Sequence, residues 1–199
     1  MVLGYHVVFS AYGFWLPNDP RGSWSEFVGS WELLRFGPAT KVETRRSVAL
    51  TSHDHRRRLA AKLALKHPPV VLDGFQARAI GRGFAEFIDK SHVTVWACAI
   101  LPEHVHMVIA RHHYKVERIV TQLKGSATRR LLREWIHPFG SLVPEGQRPP
   151  GMWGRGCWKV FLDREADVRR AVEYVERNPL KEGKRRQDWS FVTSLDGRG

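Results

Sequence analysis

The fold is decided by residues 95–109, Val95-Trp96-Ala97-Cys98-Ala99-Ile100-Leu101-Pro102-Glu103-His104-Val105-His106-Met107-Val108-Ile109. β-Branched and aromatic residues favour extended chain, and strands are predicted over residues 92–100 and 104–111. Because three residues alone, 101–103, separate the two strands in sequence, we expect them to pair as an antiparallel hairpin. The other elements must pack around this hairpin.

Two histidines flank Val105 in the second of these strands. Successive side chains of a strand point to opposite faces, so His104 and His106 share one face while Val105 points into the core. Two imidazoles at this spacing can hold one divalent cation, although two half-buried structural histidines give the same pattern. A second His-x-His, His53-Asp54-His55, precedes an arginine run and is interpreted as a solvated helix start.

Hydrophobic periodicity and capping residues predict further elements. They are a strand over 4–10, short helices around 54–66, a helix over 74–90, a helix over 115–136, a strand over 153–161 and a helix over 164–178. Asp73 and Asp163 are the expected N-caps of the helices that follow them, and Pro179 is expected to end the last helix. This order predicts a single α+β domain, with an antiparallel sheet of about four to five strands and helices packed on it.

The charge balance of the chain favours an anionic partner. Lysine and arginine number 32 against 20 aspartates and glutamates, which gives a formal net charge of +12 over 199 residues. Such a field attracts polyanions, of which nucleic acid is the commonest in cells; a merely basic soluble protein is the alternative. The length and a hydrophobic content of 43% suit one globular domain.

The spacing of the cysteines and the hydropathy of the chain indicate its cellular compartment. Cys98 and Cys157 lie far apart and form no CxxC pair, which disfavours a zinc knuckle or a disulfide framework and fits a reducing compartment. Neither a signal peptide nor an apolar run of about 18 residues is recognised in the sequence. We therefore expect a cytoplasmic, nucleoid-associated protein with no membrane contact.

Basic side chains recur on one face of the predicted helix 115–136. Such a row can track the phosphates of a nucleic acid, while tryptophans can stack on exposed bases. Trp15, Trp153 and Trp158 are candidates for stacking; core anchoring is the alternative for each and is the favoured role for Trp158. The residues predicted to bind DNA are Arg118, Lys124, Arg129, Arg130 and Arg133 of this helix, together with Arg155 and Lys181.

Tyr174 and Asn178 close the last predicted helix, in the run Tyr174-Val175-Glu176-Arg177-Asn178-Pro179. Four residues apart, they lie one turn apart on the same helical face. An amide oxygen is a suitable ligand for Mg²⁺ or Mn²⁺ beside two imidazoles. Next to such a cation, a tyrosine hydroxyl can attack a phosphate and form a covalent intermediate; taken alone, Tyr174 also fits a packing role.

Tyr114 is the rival for the role of nucleophile. It follows the His-x-His strand closely, in His112-His113-Tyr114. We favour Tyr174 because Asn178 shares its helical face.

Three blocks of sequence occur in order along the chain. They are Leu101-Pro102-Glu103-His104-Val105-His106, then residues 153–158, then Tyr174-Val175-x-x-Asn178-Pro179 with Lys181 and Gly183. The blocks resemble the HUH single-tyrosine transposases, and most closely the REP-associated tyrosine transposase branch. The openings Gly4-Tyr5-His6-Val7-Val8-Phe9 and Trp15-Leu16-Pro17-x-Asp19-Pro20-Arg21-Gly22 are also similar to the start of many such chains.

The resemblance implies a single-stranded DNA endonuclease and strand transferase with the HUH endonuclease fold, which is ferredoxin- or RRM-like. His104 and His106 match histidines that bind Mg²⁺ or Mn²⁺, and Asn178 falls where the family places a third, polar ligand. Tyr174 matches the tyrosine that attacks the scissile phosphate, which gives a 5′-phosphotyrosine link and a 3′-OH. The implied partner is single-stranded DNA with hairpins, and a monomer is favoured over a homodimer.

Some segments depart from compact members of that family. Residues 23–70 are interpreted as a family-variable insertion, residues 138–152 as a Pro- and Gly-rich loop, and the chain from about 181 as a basic tail. Two other functions stay open: a catalytically inactive module that binds hairpin nucleic acid, and a metal-dependent hydrolase that uses water. The hydrolase would need a general base, for which Glu103 and Glu173 are the candidates.

Overall fold

The computed structural model describes residues 1–16, 31–37 (the backbone alone at residue 31) and 54–195. The strands in these ranges are β1 (Gly4–Ser10), β2 (Val95–Ile100), β3 (His104–Ala110) and β4 (Trp158–Leu162). The helices are α1 (Trp31–Leu34), α2 (His55–Leu63), α3 (Gly74–Ser91), α4 (Val116–Arg133) and α5 (Glu165–Lys181), with a 3₁₀ turn over Gly140–Leu142. None of these helices is long and apolar enough to cross a membrane. The described residues do not include 17–22, nor most of the predicted insertion (23–30 and 38–53). His53 of the second His-x-His therefore lies outside them.

The four strands form one antiparallel sheet in the order β2-β3-β1-β4. The predicted hairpin is confirmed, because β2 and β3 pair antiparallel and the Leu101 N–H donates to the His104 carbonyl at 2.8 Å. β1 lies between β3 and β4 and pairs antiparallel with both. With α3 and α4 as the connecting helices, this is the β-α-β-β-α-β arrangement of ferredoxin-like folds. The α+β prediction is therefore confirmed, with four strands.

Different helices cover the two faces of the sheet. On one face, Phe9, Val105 and Met107 are fully buried against α3 and α4. On the other, Ala99 and Val108 pack against α5. Because side chains alternate along a strand, β3 directs its two histidines to the face that α5 covers.

The layer that α3 and α4 form on one face of the sheet depends on the close approach of these two helices. α3 begins at its predicted N-cap, Asp73, whose carboxylate accepts the Gln76 N–H at 2.8 Å while the Gln76 side chain accepts the Asp73 N–H. Gly83 of α3 faces the backbone of α4, where a Cβ would lie 2.8 Å from the Cα of Ala127. The missing side chain at Gly83 is thus what lets the two helices approach.

The chain enters α5 later than predicted. The strand predicted over 153–161 is β4, which begins at Trp158 and continues to Leu162. Residues 163 and 164 then form the turn into the helix, so the N-cap is Arg164 and not Asp163. Within the described part of the chain, no side chain caps this N-terminus.

The prediction that Pro179 ends the last helix is wrong. Pro179 lies two residues before the end of α5, where its missing N–H removes a single intrahelical bond. The helix ends in a Schellman motif at Gly183, which has a φ of 66°. The Lys184 N–H donates to the Pro179 carbonyl at 2.8 Å, and the Gly183 N–H donates to the Leu180 carbonyl at 3.0 Å.

The C-terminal segment covers the outer edge of β2. The side-chain amide of Gln187 donates to the Ile100 carbonyl and accepts from the Ile100 N–H, each at 2.8 Å. Further on, Val192 forms a parallel bridge with Val95. These contacts occupy backbone groups that a strand from another chain would need in order to extend the sheet at this edge.

Candidate functional site

Three histidines come together on the face of the sheet that α5 covers. His6 of β1 joins His104 and His106 of β3 there, because β1 and β3 pair with Val8 opposite His106. The Nε2 of His6 lies 3.1 Å from the Nδ1 of His106, and the two rings stack with their centroids 5.3 Å apart. Both side chains are buried.

α5 brings Tyr174 onto these histidines. The Tyr174 ring packs edge-on against His6, with centroids 5.7 Å apart, and against His106, with centroids 5.6 Å apart. On β2, the residue opposite His106 is Ala99, whose small side chain leaves room for the rings. The structure therefore brings together the predicted nucleophile and one of the predicted ligands, although Tyr174 and His106 are 68 positions apart in sequence.

Asn178 and Lys181 lie on the same face of α5 as Tyr174, at steps of four and three residues. The Lys181 ammonium is 4.6 Å from the centroid of the Tyr174 ring. Asn178 is buried, and its Nδ2 has no hydrogen-bond partner among the described residues. A buried amide nitrogen without an acceptor needs an explanation, and a ligand with an acceptor oxygen would supply one.

Burial sets the protonation of the two contacting histidines. It lowers the pKa of His6 to about 4. It also holds the pKa of His106 well below its ordinary value, with smaller contributions from the charges of His104, His6 and Lys181. Both rings are therefore neutral at pH 7, which is the state in which imidazole can bind a metal.

Tyr174 is protonated in the free protein at pH 7. Although 42% of the side chain is exposed, burial of the remainder raises the pKa of its hydroxyl. The neighbouring Asn178 amide opposes this rise in pKa, and the Glu182 carboxylate adds to it. The hydroxyl must therefore lose its proton while it reacts.

His104 is positioned by an aromatic contact. Its ring stacks on Phe14 with centroids 4.7 Å apart and meets the His106 ring edge-on at 4.8 Å. Trp15 in turn packs against Phe14, with ring centroids 5.6 Å apart. Trp15 thus lies near the His104 end of the site.

The other two candidate stacking tryptophans occupy opposite faces of the sheet. Trp158 meets the His6 ring edge-on at 5.5 Å, within the site. Trp153 packs against Phe9 on the α3 and α4 face, and its indole N–H donates to the Thr128 hydroxyl at 3.1 Å. Core anchoring therefore describes Trp153.

The basic residues predicted on α4 lie in the layer across the sheet from the histidines. Arg130 donates to Glu86 at 2.9 Å and Arg133 donates to the same carboxylate at 2.6 Å. These bonds lower the pKa of the Glu86 carboxylate, and the bond from Arg133 has the largest effect. Arg118 and Arg129 are exposed on the same helix. The structure thus groups Lys181, and not the α4 residues, with Tyr174.

Lys124 anchors the loop that carries Arg155. Its ammonium donates to the carbonyls of Gly154 and Gly156, at 2.8 and 2.6 Å, and burial lowers its pKa to about 8. The Gly154 N–H donates to the Ser10 carbonyl at 2.8 Å, at the end of β1 that adjoins the start of β3. Arg155 is exposed at this border of the site.

The alternative nucleophile, Tyr114, and the two candidate general bases have other partners. The Tyr114 ring packs against His112, His113 and the Arg118 guanidinium, beyond the other end of β3. Glu103 pairs with Lys62 at 3.3 Å. The exposed Glu173 pairs with Arg177 at 3.0 Å.

The donor set fits the cation that the resemblance implies. Among the described residues, no group of three or more His, Cys, Asp or Glu side chains is arranged to hold a metal ion. The donors that the resemblance implies are His104, His106 and the amide of Asn178. Two neutral imidazoles and an amide oxygen suit Mg²⁺ or Mn²⁺ when phosphate oxygens and water complete the coordination.

His6 is the site residue that the sequence reasoning did not single out. The signal was present in Tyr5-His6-Val7-Val8-Phe9, since alternation with the apolar residues Val7 and Phe9 places His6 on the opposite face. Its position beside His106 could not be predicted, because it depends on the pairing of strands about 100 residues apart in sequence.

Comparisons with known proteins extend this picture. A model of IS200-like transposases matches residues 66–178, more than half of the chain. A solved REP-associated tyrosine transposase bound to a REP hairpin is similar at 14% identity and a TM-score of 0.46, covering 95% of this chain and 74% of that one. A candidate transposase from Deinococcus radiodurans R1 is similar at 12% identity and a TM-score of 0.41, covering 87% of this chain and 90% of that one. No curated protein matches the chain.

The family assignment rests on the sequence model, since the two solved structures are distant likenesses. The matched residues 66–178 contain His104, His106, Tyr174 and Asn178, while β1 precedes them and Lys181 follows them. The resemblance noted in the sequence is thereby confirmed at the level of the family. This chain belongs to the IS200-like transposases.

Proposed function

We propose that this chain is a single-stranded DNA endonuclease and strand transferase, with Tyr174 as the nucleophile and Mg²⁺ or Mn²⁺ as the cofactor. The observation that carries the proposal is the packing of Tyr174 against His6 and His106. Asn178 and Lys181 share its face of α5, and the Lys181 ammonium lies 4.6 Å from the centroid of the Tyr174 ring.

Tyr174 attacks through its hydroxyl oxygen. The hydroxyl proton passes to solvent as Oη bonds to phosphorus, and the bond from phosphorus to the 3′-oxygen of the preceding nucleotide breaks. That oxygen takes up a proton and becomes a 3′-OH, while the 5′ end of the DNA stays on the tyrosine. Because one phosphoester replaces another, an incoming 3′-OH can reverse the step and join a new strand.

The residues around Tyr174 hold the phosphate and the cation. His104 and His106 would hold the cation through ring nitrogens, and Asn178 would hold it through its amide oxygen. There it would withdraw charge from the scissile phosphate. Lys181, whose ammonium lies over the Tyr174 ring, stabilises the negative charge that grows on the phosphate oxygens during attack.

Some of the basic residues predicted to bind DNA are exposed, whereas others are bound to groups within the protein. Arg118, Arg129 and Arg155 are exposed, and we assign them to phosphate contacts. Arg130 and Arg133 contact DNA only at the expense of their bonds to Glu86. Lys124 contributes indirectly, through the loop that carries Arg155.

The substrate class follows from the REP-associated character of the sequence blocks. We propose single-stranded DNA that carries hairpins, and a cytoplasmic location with the chromosome. The cover that Gln187 forms on Ile100 at the β2 edge supports a monomer.

The test is the formation of a denaturation-resistant protein–DNA adduct. A labelled hairpin-bearing single strand is incubated with the protein and Mn²⁺, and the products are separated under denaturing conditions. We expect an adduct with the wild type, its loss when EDTA is added, and a reduction of at least about 10³-fold in Tyr174→Phe. Phenylalanine keeps the ring contacts with the histidines, and Tyr114→Phe is the matched control that retains the adduct.

Three results would contradict the proposal. Cleavage without an adduct indicates a hydrolase that uses water, and binding without cleavage indicates an inactive binding module. An adduct that survives in Tyr174→Phe but disappears in Tyr114→Phe assigns the nucleophile to the other tyrosine.

A further inference from the structure

His6 lies at the centre of the site, yet the proposed chemistry gives it no role. Its ring stacks on His106 at an interplanar angle of 25°. It also meets Trp158 edge-on at 5.5 Å and Tyr174 at 5.7 Å. A histidine in contact with a proposed ligand, the proposed nucleophile and a tryptophan is well placed to orient the site.

The two rings are joined by a hydrogen bond in which either nitrogen can be the donor. His6 Nε2 and His106 Nδ1 are 3.1 Å apart, so one nitrogen carries the shared proton and the other accepts it. If His6 donates, the proton of neutral His106 must sit on its Nε2, and His106 has no free lone pair. If His106 donates from Nδ1, its Nε2 keeps a lone pair that can bind a cation.

We propose that His6 is a positioning residue that accepts a hydrogen bond from the Nδ1–H of His106 and so makes Nε2 of His106 the metal-binding atom. This inference rests on the proposed function, which requires His106 to be a ligand. Ligating histidines commonly donate their second N–H to a neighbouring acceptor, which fixes the tautomer and the ring orientation. Here a neutral imidazole takes the place of a carboxylate or a carbonyl oxygen.

The sheet holds this acceptor in place. β1 lies between β3 and β4, so His6 is fixed on one side by the pairing of Val8 with His106. On the other side, Val8 pairs with Trp158, whose ring edge abuts His6. The orientation of His106 is therefore set by β1 and β4 as well as by its own strand.

The first test reads the tautomer in the metal-free protein. Two-bond ¹H–¹⁵N correlations of the histidine rings distinguish Nδ1–H from Nε2–H directly. We expect His106 to be protonated on Nδ1 in the wild type and to lose this preference in His6→Met, which keeps similar bulk without an acceptor. His6→Gln, whose amide oxygen reaches toward the place of Nε2, retains it. Tyr5→Phe, the neighbour on the opposite face of β1, is the matched control.

The second test reads Mn²⁺ affinity by titration in the same variants, with thermal unfolding as the check of folding. We expect Mn²⁺ binding to weaken by about 10- to 100-fold in His6→Met, to be largely restored in His6→Gln and to be unchanged in Tyr5→Phe. Pulsed EPR of bound Mn²⁺ counts the coordinated histidine nitrogens. That count stays the same in wild type and His6→Gln if His6 is an acceptor, and falls by one if His6 is itself a ligand.

Each contrary result has its own meaning. A wild-type His106 protonated on Nε2, wild-type Mn²⁺ affinity in His6→Met, or equal losses in His6→Met and His6→Gln would overturn the role of His6. A nitrogen count that falls in His6→Gln would overturn it as well. A wild-type protein that binds no Mn²⁺ contradicts the proposed function itself, and the tautomer measurement then still decides the direction of the hydrogen bond.

Discussion

At the scale of single residues, the partners of a buried histidine indicate its role. His6 and His106 contact each other and Tyr174 on the face that α5 covers. His137 is equally buried, but its Nδ1 accepts the backbone N–H of Phe139 at 3.2 Å. Its role is therefore to shape the loop that follows α4.

His137 makes the stability of the protein depend on pH. Burial lowers its pKa in the folded state, whereas the unfolded chain has a pKa of about 6.5. Below that pH the unfolded state binds more protons, so the free energy of unfolding falls as the pH is lowered, with a limiting slope of about 1.4 kcal/mol per pH unit. The measurement is urea unfolding of the metal-free protein between pH 7.5 and pH 5.

His137→Asn isolates this contribution from the other histidines whose pKa is lowered. The asparagine oxygen can accept the same Phe139 N–H but does not titrate. We expect the variant to lose less stability than the wild type between pH 6.5 and pH 5. Parallel curves for the two proteins would show that His137 is not the titrating group.

At the scale of elements, two helical glycines look alike in sequence but have opposite roles. A Cβ on Gly83 of α3 would lie within 3.0 Å of backbone atoms of Ser126 and Ala127 in α4. A Cβ on Gly125 would meet only the flexible end of Arg129, at 3.4 Å. The spacing of the two helices is therefore set by Gly83.

Alanine substitutions at these glycines should change stability in opposite directions. Gly83→Ala gains about 1 kcal/mol of helix propensity but forces α3 and α4 apart, which costs about 1–3 kcal/mol or more. Gly125→Ala gains helix propensity without a backbone clash. We expect the unfolding midpoint in urea to fall for Gly83→Ala and to rise for Gly125→Ala. A rise for both would mean that the helices can part at little cost.

At the scale of the whole molecule, the positive charge divides into paired and exposed parts. The net charge of +12 overstates what DNA can use, because arginines such as Arg130 are bound to carboxylates within the protein. Arg129, by contrast, is exposed and can meet a phosphate without first breaking an ion pair with another described residue. DNA affinity should therefore depend on which arginine is removed.

Two neighbouring substitutions on α4 test this division. Arg129→Gln is expected to weaken binding of a hairpin-bearing single strand and to lower the slope of log K against log salt by about 0.7, the value for one phosphate contact. Arg130→Gln is expected to leave that slope unchanged and to lower the unfolding free energy by about 1 kcal/mol through loss of its pairs. The reverse assignment of the two effects would show that the paired arginine is the one that meets DNA.

The sequence by itself determined the local features of this protein. Alternation within residues 104–108 assigned both histidines to one face, and the four-residue step placed Tyr174 and Asn178 together, since each depends on geometry within one element. The sequence blocks also indicated the family.

Only the tertiary structure decided which elements meet. The order β2-β3-β1-β4 places His6 against His106, and the packing of α5 on that face brings Tyr174 to both. Ion pairs between α3 and α4 decided that Arg130 and Arg133 are engaged. Such contacts join residues far apart in sequence, so strand register and helix packing fix them and no local pattern encodes them.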